Sequence, residues 1–171
     1  MKLLLSKEKI AEQIKLTAAQ IHRDYSGQDL VIVMVLKGAL CVVADLIREI
    51  DLSFDVETVQ CSSYGLRGTE RGELEVLGVN LLHIHNRDVL VVDDIYDSGH
   101  TMKALFESLK LKQPRSLKSC VLLYKNNVPK INHYRPDYVL FDIDNLFVVG
   151  YGLDYKEKYR GLPGVYVMDP Q

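Results

Sequence analysis

The sequence predicts an α/β domain with a mostly parallel central sheet flanked by helices. Two observations carry this reading. Leu30–Leu36 (LVIVMVL) and Val89–Ile95 (VLVVDDI) are or open as continuous apolar runs rich in β-branched residues, the pattern of strands covered on both faces. Segments with helical spacing fall between such runs, and strands alternating with helices build parallel sheets. A chain of 171 residues suits a single domain with a sizeable core.

Taken in order, Ser6 is a capping residue ahead of Ile10, Ile14, Ala18, Ile21 and Tyr25, which recur at helical spacing until Gly27. The Leu30–Leu36 strand is broken by Lys37-Gly38, and Ala39–Ile50 reads as a helix. Phe54–Ser63 is strand-like. Gly65–Gly72, which contains Arg67, Gly68, Thr69, Glu70 and Arg71, is polar and expected to be mobile, with Glu73–Val79 as a return strand. After the Val89–Ile95 strand, Thr101–Lys112 reads as a helix stopped before Pro114. Ser119–Tyr124 is a further strand, and Tyr138–Phe141, Phe147–Tyr151 and Val165–Met168 are short strand candidates. No internal repeat or linker interrupts the chain.

Composition narrows the function classes. The chain is 47% hydrophobic and 26% charged with a formal net charge of -2, which argues against a general nucleic-acid or anionic-membrane binder. No apolar run approaches a membrane span, and the three leucines of MKLLLSKEK are too few for a signal peptide. A cytoplasmic location is the expectation. Cys41, Cys61 and Cys120 lie far apart beside apolar runs and read as buried reduced thiols. His22, His83, His85 and His133 show no metal-ligand spacing.

The chemistry concentrates at the ends of the strands, where ligands bind in open α/β sheets. Three strands end unusually, in Leu36-Lys37-Gly38, in Asp93-Asp94 and in Tyr124-Lys125. Beyond Asp93-Asp94 the chain runs through Asp97, Ser98, Gly99, His100 and Thr101 into a helix. That arrangement makes an anion nest of main-chain N–H groups, with Ser98 and Thr101 adding hydroxyl donors and Gly99 allowing close approach. No GxxxxGK[ST] spacing occurs, so this is not a P-loop. Carboxylates beside a phosphate nest make sense if they face ribose hydroxyls or Mg²⁺. A ligand carrying a phosphate, a ribose and a metal-bound pyrophosphate satisfies all of these groups.

VVDDIYDSGHT resembles the phosphoribosyl-pyrophosphate signature of the type I phosphoribosyltransferases. VLKGAL (Val35–Leu40), SSYG (Ser62–Gly65), Lys125 after CVLLY, and FVVGYGLDYKEKYRGLP (Phe147–Pro163) narrow the resemblance to the hypoxanthine-guanine phosphoribosyltransferases. The resemblance implies their fold, with a small hood from residues 142–171 and the N-terminus, and a flexible lid over about residues 63–79. It implies a transferase joining 5-phosphoribosyl pyrophosphate to hypoxanthine or guanine, with Mg²⁺ as cofactor, small molecules as partners, no nucleic acid or membrane, and a homodimer or homotetramer.

Residue by residue, the resemblance implies that Asp93 and Asp94 hold the ribose hydroxyls, partly through Mg²⁺, and that Asp97 is the general base toward purine N7. It gives the 5′-phosphate to Ser98, Gly99, His100 and Thr101, and pyrophosphate to Leu36, Lys37, Gly38 and Arg160, with a cis Leu36–Lys37 peptide. Ser63 and Tyr64 would close over the site. Lys125 would donate to the 6-oxo group, Phe147 would stack on the purine, and the main chain of Val148 would bond its edge. Asp154 would hold a second Mg²⁺, and backbone carbonyls near Val148 and Asp154 would accept from the far edge of the purine. The chain departs from the pattern in having Asp93 where the family most often has Glu, and in the two arginines of its lid. Two other readings stay open here. One is a nucleotide-sensing regulator on the same fold, to which the basic residues Lys103, Lys110, Lys112, Arg115 and Lys118 would lend a nucleic-acid surface. The other is a relative acting on another base, which Lys125 and the Phe147–Asp154 segment disfavour.

Overall fold

The computed structural model describes residues 1–63 and 74–168. Strands β2 (Leu30–Leu36), β3 (Phe54–Ser63), β4 (Leu74–Leu77), β5 (Asp88–Tyr96), β6 (Ser116–Lys125) and β7 (Tyr138–Ile143) form one sheet in the order β4-β3-β2-β5-β6-β7. All neighbours are parallel except the edge pair β3–β4. Within the described residues this is the expected mixed, mostly parallel sheet.

The two apolar runs work as their composition requires. In β2, Leu30 and Ile32 enter one core, whereas Val31, Val33 and Val35 enter the other. In β5, Leu90 and Val92 alternate in the same way with Val89 and Val91. Helices α1 (Lys7–Tyr25) and α2 (Leu40–Glu49) cover the first face, and α3 (His100–Lys110) covers the second. Ser6 caps α1 by accepting from the Lys9 N–H at 3.3 Å. Ile10, Ile14, Ala18, Ile21 and Tyr25 form its buried stripe, and Thr17 is buried alongside them.

Successive strands go from β2 to β3 on one side and from β5 through β6 to β7 on the other. The sheet therefore changes direction between β2 and β5, and a crevice opens beyond their carboxyl ends. A second sheet in the order β1-β9-β8 joins β1 (Lys2–Leu5), β9 (Val165–Val167) and β8 (Val148–Val149). Its residues Leu5, Val148 and Val165, with Tyr151 and Leu153 just after β8, are continuous with the α1–α2 core.

Several boundaries differ from the sequence reading. Helix α3 starts at His100 because Gly99, at φ +94°, turns the chain into it, and it stops at Lys110 before a turn. Strand β6 begins at Ser116 and β7 continues to Ile143. Of Phe147–Tyr151 only Val148–Val149 are extended, since Gly150 and Tyr151 both have positive φ. Val79 belongs to a turn of 3-10 helix (Val79–Leu81) entered through Gly78 at φ +91°. Strand β1 had no counterpart in the sequence reading. Tyr64 and the arginine-bearing part of the lid lie outside the described residues. Among the described residues no helix is long and apolar enough to cross a membrane.

The opposite end of the sheet is clamped by charge. Arg115 pairs with the buried Asp88, which also accepts from Ser116 Oγ at 2.6 Å. Arg87 grips Asp29 through two nitrogens at 2.9 and 2.7 Å and reaches Asp55 at 2.8 Å. The Arg115 hydrogen bond holds the Asp88 carboxyl below the usual aspartate range, against the opposing effect of burial. A depressed folded-state pKa stabilises above the unfolded value, about pH 4, and that contribution is lost as pH falls through the folded value. We therefore expect Asp88→Asn to be less stable than wild type at pH 7, with the gap closing in strongly acid solution. Urea unfolding across pH checks this; a gap that is constant with pH contradicts it.

Candidate active site

The crevice between β2 and β5 gathers residues that are distant in sequence. On the β2 side the chain turns at Leu36–Lys37, whose peptide bond is cis, into Gly38. A Cβ at Gly38 would overlap the Asp94 carboxylate. A Cβ at Gly152, which has φ +100°, would overlap the Gly38 carbonyl oxygen. These two glycines let the loop after β2, the end of β5 and the C-terminal segment meet without intervening side chains.

Asp93 is buried and Asp94 half-buried on β5. The Asp94 N–H donates to Asp93 Oδ1 at 2.9 Å. Burial, then the charge of Asp94, pushes the Asp93 carboxyl well above its ordinary range. Burial also raises Asp94, with Asp93 and Arg160 among the groups that oppose it. Among the described residues no lysine or arginine forms an ion pair with either carboxylate.

Beyond β5, Asp93, Asp97, Ser98, Gly99, His100 and Thr101 help to line a cavity of about 110 Å³. No side chain caps α3, so its first N–H groups face this cavity unclaimed by a cap. Ser98 Oγ and His100 Nδ1 are 2.8 Å apart. Asp97 to Thr101 thus meet at this cavity as one continuous segment.

Lys125 ends β6, one strand over. Its side chain is only 12% exposed, and Nζ stands 3.4 Å from Asp97 Oδ2 and 3.5 Å from Asn145 Oδ1. Two residues beyond Asn145, Phe147 is 44% exposed and meets Tyr155 edge-on with ring centroids 5.5 Å apart. The Met168 N–H donates to the Phe147 carbonyl at 2.9 Å, and Val148 is opposite Val167. By the alternation of an antiparallel ladder, the Val148 N–H and C=O then point to the open edge of β8.

Arg160 donates to the Gly152 carbonyl at 2.8 Å and pairs with Asp154 Oδ1 at 2.8 Å. The other Asp154 oxygen accepts from the Glu157 N–H at 2.9 Å. Asp154 is therefore engaged with Arg160 and main chain. Glu157 Oε2 lies 3.1 Å from Lys37 Nζ and 3.3 Å from Arg160. It thereby joins the two cations assigned to pyrophosphate, and both hold its carboxyl below the usual range.

Sequence reasoning passed over Asn145, Glu157 and Lys130, the last of which donates to the Asp97 and Lys125 carbonyls. Glu157 sits in a run of charges and Lys130 in an irregular loop, and neither has a local pattern that reveals a long-range partner. The basic stretch around α3 is largely engaged within the fold. Arg115 is held by Asp88, Lys112 donates to Asn80 O at 3.0 Å, and Lys118 lies over the Tyr25 ring at 5.6 Å.

This geometry has close counterparts. The phosphoribosyl transferase domain family matches residues 2–156. A hypoxanthine-guanine phosphoribosyltransferase of Aquifex aeolicus is 40% identical over 170 residues, spanning 99% of this chain and 95% of that protein. The Bacillus subtilis hypoxanthine-guanine phosphoribosyltransferase is 37% identical over 169 residues, spanning 99% and 93%. Among solved structures, a hypoxanthine phosphoribosyltransferase from Staphylococcus aureus superposes with a TM-score of 0.91 at 38% identity, covering 99% of this chain and 92% of the other. That of Trypanosoma cruzi, in complex with the product IMP, has a TM-score of 0.90 at 36% identity, covering 99% and 95%. Matched along nearly its whole length in both sequence and fold, the chain belongs to the hypoxanthine-guanine phosphoribosyltransferases of the phosphoribosyl transferase domain family.

Proposed function

We propose that this chain transfers the 5-phosphoribosyl group of phosphoribosyl pyrophosphate to N9 of hypoxanthine or guanine, giving IMP or GMP and pyrophosphate. One observation carries the reading. Lys125 Nζ, a donor, and Asp97 Oδ2, an acceptor, stand 3.4 Å apart at the ends of adjacent strands. A 6-oxo purine presents the complementary pair on one edge, an accepting O6 beside a donating N7–H. The Trypanosoma cruzi relative that holds IMP supports the same product class.

In the reaction the C1′–oxygen bond to pyrophosphate breaks, the N9–C1′ bond forms, and the N7 proton passes to the Asp97 carboxylate. Lys125 keeps O6 in place while this happens. Phe147 offers an exposed ring face to the purine, and the free main chain of Val148 bonds its other edge. The α3 N-terminus with Ser98, Gly99, His100 and Thr101 holds the 5′-phosphate. Lys37, Gly38 and Arg160 receive the pyrophosphate charge, for which Glu157 must give up its two cations.

The Asp93–Asp94 pair fits Mg²⁺. It offers two hard oxygen ligands whose carboxyls are raised by burial and which lack an ion-pair partner among the described residues. Two carboxylates completed by substrate oxygens and water are a common Mg²⁺ donor set. When bound there, the ion would neutralise charge on the departing pyrophosphate. Asp154 fits a second ion only if Arg160 releases it, so its nearer role is to orient Arg160.

Formation of IMP from hypoxanthine and phosphoribosyl pyrophosphate tests the reaction. Asp97→Asn is expected to lower kcat by roughly 10²–10⁴-fold, the usual worth of a general base, with phosphoribosyl-pyrophosphate binding little changed. Turnover of this variant within a few-fold of wild type would show that another group takes the proton. Stripping divalent cations with EDTA is expected to cut turnover by at least about 10²-fold, with Mg²⁺ restoring it. Undiminished rates in EDTA would contradict the metal assignment.

A further inference from the structure

Past the last β5–β6 register pair, Tyr96 opposite Tyr124, the two strands diverge into Asp97 and Lys125. What holds these two ends together is a residue from neither strand. Lys130, in the loop before β7, donates from Nζ to the Asp97 carbonyl at 2.6 Å and to the Lys125 carbonyl at 2.5 Å. Ammonium-to-carbonyl bonds of this length are charge-assisted and stronger than neutral ones. The same ammonium lies over the Tyr124 ring at 4.6 Å and the Tyr96 ring at 5.5 Å. Those rings are stacked, with centroids 5.4 Å apart and planes within 7°. The loop is seated independently, because the Ile131 N–H donates to the Ser98 carbonyl at 3.0 Å and Tyr96 Oη donates to the Tyr134 carbonyl at 3.0 Å.

We propose that Lys130 is a positioning residue for the purine edge, an ammonium rung that replaces the missing ladder bond and sets the spacing of the Asp97 carboxylate and the Lys125 ammonium. The inference rests on the reaction proposed above. Two side chains that must meet N7–H and O6 together depend on where their main chains stand, and both main chains end on this one nitrogen. Partial burial lowers the Lys130 pKa, with Lys125 and Arg135 adding to the effect and Asp97 opposing it. Both Lys130 hydrogen bonds go to the residues that bear the purine edge, although Asp97 also opens the loop before α3, so its loss should weigh chiefly on the base and less on the phosphoribosyl end.

The test is initial-rate kinetics on the full chain with hypoxanthine and phosphoribosyl pyrophosphate varied separately, for wild type, Lys130→Met and Lys130→Arg, beside thermal unfolding. In Lys130→Met, kcat/KM for hypoxanthine is expected to fall roughly 10–100-fold, the cost of an ångström-scale misplacement. KM for phosphoribosyl pyrophosphate should change less, by no more than about threefold, since Lys37 and Arg160 keep their own bonds. Lys130→Arg should recover to within about fivefold of wild type, because a guanidinium has donors for both carbonyls. Should Lys130→Met not fold, the same split is read in Lys130→Gln, whose amide keeps one carbonyl partner. An unchanged kcat/KM overturns the proposal. So does a parallel rise in both KM values that tracks the drop in Tm and is not recovered by arginine, or failure of both neutral variants to fold, since each assigns Lys130 to folding alone. A wild type that makes no IMP defeats the reaction itself, and this role with it.

Discussion

The arrangement turns on the crowding at Gly38. On one side stands the Asp94 carboxylate, with no room for a Cβ between them, and on the other its carbonyl oxygen lies against Gly152, again with no room for one. Three segments that share no secondary structure are thereby held at one point: the loop after β2, the acidic end of β5, and the C-terminal segment carrying Arg160. The change of strand direction between β2 and β5 creates the crevice, and the two glycines let its walls approach closely. A methyl group at either position would push these segments apart and separate Lys37 and Arg160 from Asp93 and Asp94.

Such a site is costly to hold. Asp93 and Asp94 are adjacent carboxylates, buried and half-buried, and both are raised by desolvation. The residues before them, Val89 through Val92, are fully buried in the two cores, and β5 is bonded on both sides by β2 and β6. The acids are thus placed where the sheet is most rigid, and unfavourable local electrostatics are sustained by the surrounding core. The cations are arranged differently. Lys37 and Arg160 share Glu157, an exposed carboxylate, and exposed pairs of this kind are weak.

What could be read from the sequence was what is local. The Ser6 cap and the stripe from Ile10 to Tyr25 define α1 by themselves, and the strand–DDxxDSGxT segment lines its cavity with residues close together in the chain. The doubly covered strands announced themselves because burial on both faces removes polar alternation. What stayed hidden depends on partners far along the chain. Strand β1 is four residues long and exists by pairing with β9 near the other end, across an irregular register. The Lys125–Asp97 approach spans 28 positions, Arg115–Asp88 spans 27, and Lys130 reaches Asp97 across 33. No spacing rule covers such distances, and only the resemblance led to the expectation that Lys125 and Asp97 lie near one another.

The central claim is that one donor and one acceptor, fixed at adjacent strand ends, choose the base. Initial rates of the wild-type chain with hypoxanthine, guanine, xanthine and adenine at equal concentration test it most directly. Hypoxanthine and guanine should be used, and xanthine poorly, because its 2-oxo group sets acceptor against acceptor at the main-chain carbonyls near Val148. Adenine should be rejected on the order of 10⁴-fold in kcat/KM, since its 6-amino group leaves the Lys125 ammonium facing another donor. Adenine turnover within about tenfold of hypoxanthine, far short of the discrimination expected for a mismatched buried polar group, would contradict the account.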